Sequence, residues 1–297
     1  MKIFRYLLIC TAIGFMLNLL YEQNKQIADL DFHLSIPFML IGLVAVTVLF
    51  ILDAYGWVLI LRLLAARPST LQGIRIWMIS SIARYIPGGV WSYMSRAELA
   101  RHENINLATL SLSLWLETMI VASSSLAVGL PSLIYAGGLQ FKPWHILGIF
   151  LLISLSIHPK VISLLRFTPG SIGLAFSNAK LPTATSIIFI YCYYCLFWLL
   201  FGLAFVVFTN MLFPLEYQKW LPVGSSIAMG FFAGFIILIV PGGIGVREAT
   251  LYFLLIPHLP EAQATILAIT SRVWIMSGEA LSLLLVEFLF RKSVRNI

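Results

Sequence analysis

Charge is what this sequence has least of. Only 10% of its 297 residues are Asp, Glu, Lys or Arg, against 60% hydrophobic ones. A soluble domain carries about a quarter charged residues, so 19 Lys+Arg and 12 Asp+Glu are too few to clothe a soluble surface. A mean hydropathy of +0.96 says the same. No stretch is long and polar enough for a soluble catalytic domain. Cysteine is scarce too: Cys10, Cys192 and Cys195 all lie in apolar runs. Cys192-Tyr-Tyr-Cys195 has half-site spacing but no second pair beside it, so these read as small buried packing residues. The five histidines are scattered at span ends and loops with no i,i+4 spacing, so no zinc site is expected. P-loop and dinucleotide glycine patterns are absent, and no Ser-His-Asp order stands out. The expectation is a protein without cofactor or metal and without enzymatic activity. The N-terminal run after Lys2 and Arg5 lacks a small-x-small cleavage site and reads as a retained first span.

Long apolar runs are what the sequence does contain. A span takes about 20 mainly apolar residues. Residues 3–20, 36–61, 107–130, 184–208 and 265–290 qualify, and 144–157 is a shorter sixth. Two further stretches, 71–94 and 222–256, are each interrupted by Pro-Gly-Gly. Proline removes a backbone donor and glycine weakens a helix, so both read as re-entrant hairpins, with kinked full spans as the alternative. Irregular backbone at membrane depth needs protein or a wet cavity around it. The predicted fold is an all-α polytopic membrane protein of about six spans and two hairpins.

The net charge of +7 belongs to this topology and not to nucleic acid. Fourteen Lys and Arg fall on the predicted inner side and four (Lys25, Lys142, Lys219, Arg247) on the outer, with Arg272 inside the last span. That bias places both termini in the cytoplasm of a multi-pass inner-membrane protein. The same topology reads as an inverted repeat with halves about 1–140 and 141–297. Pro87-Gly88-Gly89-Val90 returns as Pro241-Gly242-Gly243-Ile244, 154 residues later. Paired Gly/Pro-interrupted segments in inverted halves point to a transporter site between them.

Each motif sits beside an arginine. The first reads Arg84-Tyr85-Ile86-Pro87-Gly88-Gly89-Val90-Trp91, the second Pro241-Gly242-Gly243-Ile244-Gly245-Val246-Arg247-Glu248. A helix starting at such a break offers free N–H groups, and an arginine one turn away completes a receptor for phosphate or another anion. The bland alternative is that the glycines permit close helix crossing and the arginines snorkel. Glu117, Arg272 and Glu279 lie within spans, where ionisable groups are costly and face a partner or cavity. Glu117 follows Pro87 by 30 residues and Arg272 follows Pro241 by 31, so these two are expected to meet across the repeat axis, as a structural pair or a functional one. Asp53 reads as interfacial. Tyr191, Tyr193, Tyr194, Phe197 and Trp198 circle their helix and read as belt or lipid contacts.

The two motifs together resemble those of the lysylphosphatidylglycerol synthase transmembrane-region family, over essentially the whole chain. That family includes the flippase half of the multiple-peptide-resistance proteins and stand-alone relatives. The resemblance implies flippase-like movement of an anionic phospholipid, or of a polyprenyl-phosphate-linked glycolipid for cell-envelope biogenesis, without synthase activity, because the chain stops seven residues after the last span. In this reading Arg84, Tyr85, Pro87, Gly88, Gly89, Trp91, Pro241, Gly242, Gly243, Gly245, Arg247 and Arg272 form the head-group site. Glu117, Glu248 and Glu279 hold the arginines or relay protons. Membrane lipids are the expected partners. The rivals are a membrane-embedded lipid or glycosyl transferase, disfavoured by the lack of acidic residues in 159–182, and a non-transporting partner subunit of an envelope glycosyltransferase.

Overall fold

The computed structural model describes residues 36–85, 90–103, 105–137, 158–164, 181–236 and 243–295, with Tyr21 and Gly148. The expected spans at 3–20 and 144–157 lie outside these, as do Cys10 and the motif residues Pro87, Gly88, Gly89, Pro241 and Gly242. Every regular element among the described residues is helical. In chain order these are α1 (Ile36–Leu63), α2 (Thr70–Ile82), a 3-10 turn (Ala83–Tyr85), α3 (Trp91–Arg101), α4 (Leu107–Ala136) and the short α5 (Pro159–Leu164). Then come α6 (Ala184–Leu212), a 3-10 turn (Tyr217–Lys219), α7 (Trp220–Ile236), α8 (Val246–Leu255) and α9 (Glu261–Arg295).

Local chemistry sets the ends. Ser69, Asn106 and Thr183 each stand before a helix and accept a hydrogen bond from the backbone N–H three residues on. A helix start leaves such donors unpaired, and these side chains are the preferred ones to satisfy them. α4 ends on Gly137 at φ +61°, a left-handed turn that glycine enters without strain.

Five of the described helices are long and apolar enough to cross a membrane: Ile36–Leu63, Leu107–Ala136, Ala184–Leu212, Tyr217–Ile236 and Glu261–Ser293. Four match spans expected from the sequence. The fifth is the first leg of the stretch expected as the second hairpin, and it has bilayer length by itself. The first interrupted stretch differs: it folds as two short helices, α2 of 13 residues and α3 of 11. Large apolar side chains stand exposed along α1 (Ile36, Leu40, Val44), α6 (Ile188, Leu196, Leu203) and α9 (Val273, Leu284, Phe288). Exposed apolar area of this extent marks a membrane-facing surface. The chain is a helical membrane protein.

Apolar side chains gain little by leaving lipid tails for each other, so helix association there rests on close packing and internal hydrogen bonds. α7 shows this. It packs against α4, α6 and α8. A Cβ on Gly202 would stand 2.9 Å from the Gly224 carbonyl oxygen, and one on Gly129 would stand 2.8 Å from the Met229 nitrogen. Two expectations fail here. Cys192 is exposed and Cys195 half-buried rather than packed inside. Tyr194, Phe197 and Trp198 are buried, because α6 lies in the centre of the bundle against α1, α4 and α7 and not at its rim.

Adding a methyl group against a backbone that cannot shift is overpacking, with a cost of about 1–3 kcal/mol. Gly202→Ala is therefore expected to lower the melting temperature of the detergent-solubilised protein. Gly42→Ala, whose new Cβ meets only the Trp274 Nε1 at an ordinary 3.6 Å, is expected to leave it nearly unchanged.

Candidate functional site

A cavity of about 220 Å³ opens between the two interrupted stretches. From the first come Trp77, Ser81, Arg84, Tyr93 and Arg96; from the second, Phe231, Gly234, Gly243 and Arg247. α4 supplies Glu117, Thr118 and Ser125, α1 supplies Phe50 and Asp53, and α6 closes it with Phe197, Trp198 and Phe201. Three arginines and two carboxylates thus line, with aromatic and hydroxyl side chains, a chamber inside an apolar bundle.

A network of ion pairs holds most of these charges. Arg96 pairs with Glu117 at 2.5 Å, both side chains buried to about the same depth, and its Nε donates to the Ser80 hydroxyl at 3.0 Å. The other Glu117 oxygen accepts from Trp77 Nε1 at 2.5 Å. The Arg96 guanidinium lies 5.1 Å from the Trp57 ring and 5.3 Å from the Trp77 ring, within cation–π range. Arg84 pairs with Glu279 at 3.3 Å and donates from Nε to the Ser81 carbonyl at 2.9 Å. Tyr85 donates its hydroxyl to the same Glu279 at 2.7 Å, and Arg272 lies 5.6 Å from the Tyr85 ring. Arg272 pairs with Glu248 at 3.7 Å. Glu248 also caps its own helix, accepting from the Gly245 N–H at 2.6 Å. That cap requires Gly245 at φ +83° and follows Gly243 at φ +66°, conformations that glycine enters without strain.

Arg247 stands apart. Among the described residues it makes no ion pair, and its Nε is buried without a hydrogen-bond partner. Its guanidinium lies 3.7 Å from the Phe231 ring centroid. The room for it comes from two glycines, because a Cβ on Gly234 would meet its Cγ at 2.6 Å and one on Gly243 its Nε at 3.1 Å.

Of the residues expected at the site, the cavity gathers Arg84, Gly243, Arg247 and Glu117. Tyr85, Glu279, Glu248, Gly245 and Arg272 stand behind it in the supporting network. Trp91 does not join: it is 43% exposed and outside the lining, while the next residues of α3, Ser92 and Tyr93, face the cavity. The expected meeting of Glu117 with Arg272 is replaced by other pairs, Arg96–Glu117 and Glu248–Arg272. The helix that follows each break carries the nearer counter-ion. Asp53 is not interfacial but lines the cavity. Sequence reasoning passed over Arg96 as a site residue, and the available signal was tryptophan. Trp57 and Trp77 in apolar helices need acceptors for their indole N–H, and they find Ser113 and Glu117.

Compared with family models, with curated proteins and with solved structures, the chain matches none.

Removing one member of a buried pair leaves the other charge uncompensated, a loss of about 3–5 kcal/mol. Arg96→Leu or Glu117→Leu alone is expected to reduce thermal stability sharply. The double replacement is expected to recover most of it, which a double-mutant cycle on melting temperatures would measure.

Proposed function

We propose that this protein carries an amphiphile with a phosphate head group between the two leaflets of the bacterial inner membrane, using the arginine-lined cavity as the head-group site. The observation that carries the reading is Arg247: among the described residues its buried Nε has no hydrogen-bond partner and it makes no ion pair, while its guanidinium is held over an aromatic ring and lines the chamber. Its planar fork matches two phosphate oxygens at once. Arg84 and Arg96 add positive charge from the facing side of the chamber.

The helix contacts support the internal repeat on which the inverted-repeat reading rests. α1 packs on α2, α2 on α3 and α3 on α4, as α6 packs on α7, α7 on α8 and α8 on α9. α9 lies against α1 and α2, as α4 lies against α6 and α7. Exchanging α1–α4 for α6–α9 maps these contacts onto one another. The ion pairs follow the same exchange with their signs reversed: Arg96–Glu117 in one half, Glu248–Arg272 in the other. On this reading the interrupted stretches enter from opposite sides, and both termini are cytoplasmic. Setting aside the cavity residues Arg84, Arg96 and Arg247 leaves twelve basic residues inside and three outside, still a positive-inside bias. A transport site at the interface of such halves, lined by broken helices, is a recurring arrangement. The resemblance to the lysylphosphatidylglycerol synthase transmembrane region agrees with a lipid cargo, either a phospholipid or a polyprenyl-phosphate-linked glycolipid.

Arg247→Lys keeps the charge and loses the fork, so translocation in liposomes should fall while the melting temperature holds. Arg247→Ala should abolish translocation and still fold, because no ion pair is broken. Parallel liposomes containing phosphatidylglycerol or polyprenyl phosphate would separate the two cargo classes. A well-folded Arg247→Ala protein that moves both normally would remove the site. A wild-type protein that moves neither would favour the partner-subunit reading. Independently, single cysteines at Ser69 and Glu216, which precede α2 and the α7 leg, should label from opposite sides of the membrane; labelling from one side only would end the inverted-repeat reading.

A further inference from the structure

Asp53 is the carboxylate that the ion-pair network leaves out. It sits on α1 about 15 Å from the C-terminal end of that helix, at 1.5 Å per residue, and it lines the cavity. Glu117, Glu248 and Glu279 each have an arginine partner. Among the described residues the Asp53 side chain has no hydrogen bond and no ion pair. An ionised carboxylate inside a membrane bundle is costly, and such groups mark ion or proton pathways.

The surroundings decide which ion. Around Asp53 stand Arg84 from the 3-10 turn, Arg96 from α3, Glu117 from α4 and Glu279 from α9. Tyr193 and Tyr194 face it from α6, and their hydroxyls are spent on the α1 carbonyls of Leu52 and Asp53. Two arginines repel a metal cation. Two carboxylates disfavour a third negative charge. A proton answers both constraints, since it removes the charge of Asp53 without adding a cation beside the guanidinium groups.

We propose that Asp53 is a proton-binding site coupled to the anion site of the cavity. This rests on the reading of the cavity as a phosphate site. The step is O–H bond formation on a carboxylate oxygen, with the proton arriving from water and returning to it; no other bond changes. Coupling follows from charge. An anion bound among Arg84, Arg96 and Arg247 adds negative charge to the chamber, which favours the neutral form of Asp53. By reciprocity, a proton on Asp53 tightens anion binding to the same degree. Proton and phosphate head group therefore enter the cavity together, and a proton gradient across the membrane drives the lipid.

The test uses the full-length protein in detergent with phosphatidylglycerol, a phosphodiester whose own charge is constant across the range. Its Kd should fall with decreasing pH, by up to about tenfold per pH unit where one proton is linked. Asp53→Asn, checked by melting temperature, should bind phosphatidylglycerol with a flat pH profile. Infrared difference spectra should show a carboxylic-acid C=O band that titrates in the wild type and is missing in Asp53→Asn. A pH dependence that survives in Asp53→Asn, or an absent band, overturns the proposal, as does affinity that follows sodium in place of pH. If no phosphatidylglycerol binds at any pH, the anion-site reading fails for this lipid and the infrared band alone decides: present and lost in the variant, Asp53 still binds the proton; absent, it does not.

Discussion

A charged side chain within an apolar helical bundle needs a counter-charge, and the architecture follows from how that need is met. Arg96–Glu117, Arg84–Glu279 and Glu248–Arg272 bind α3 to α4, the 3-10 turn to α9, and α8 to α9. In lipid the apolar faces of these helices gain little by meeting each other. The pairs, with the indole and phenol hydrogen bonds around them, therefore fix which helices are neighbours and at what register. Of these three pairs Arg84–Glu279 has the widest reach, because Glu279 accepts Arg84 and Tyr85 from a segment nearly two hundred residues away in the chain.

Glycine supplies the complementary device. Where the network brings charges together, glycines let backbones come close enough for it. Gly202 against Gly224 draws α6 onto α7, and Gly129 draws α4 onto α7. Gly234 and Gly243 clear the space that the Arg247 side chain fills. The aromatic residues of α6 then wall the chamber from the centre of the bundle. A polar chamber at membrane depth thus depends on three kinds of residue at once: paired charges for cohesion, small residues for approach, and rings for enclosure.

Among the described charges that line the cavity, Arg247 and Asp53 remain outside the pairs, and in our reading they define what the chamber is for. One is a cation on the second interrupted stretch, the other an anion on α1. The paired charges between them, Arg84, Arg96 and Glu117, tie the two electrostatically. The proposed ligands, an anionic head group and a proton, would satisfy both residues without dismantling the network.

Sequence alone settled the membrane class, four of the five described bilayer-length helices and the two breaks, because hydropathy and Pro-Gly-Gly act locally along the chain. It also singled out Arg84, Arg247, Glu117, Glu248 and Glu279, since ionisable residues in apolar runs are few enough to stand out. Partner choice was beyond it. Glu117 and Arg272 occupy matching places after the two breaks, yet each pairs with the short helix before it, and only the packing of α3 on α4 and of α8 on α9 decides that. Asp53 looked interfacial because sequence gives distance along a helix but not what surrounds it. Tyr194, Phe197 and Trp198 looked like lipid contacts for the same reason. A hydrophobic pattern in a membrane helix is nearly the same on its lipid face and its protein face, so the tertiary structure alone distinguishes the wall of a cavity from the rim of the bundle.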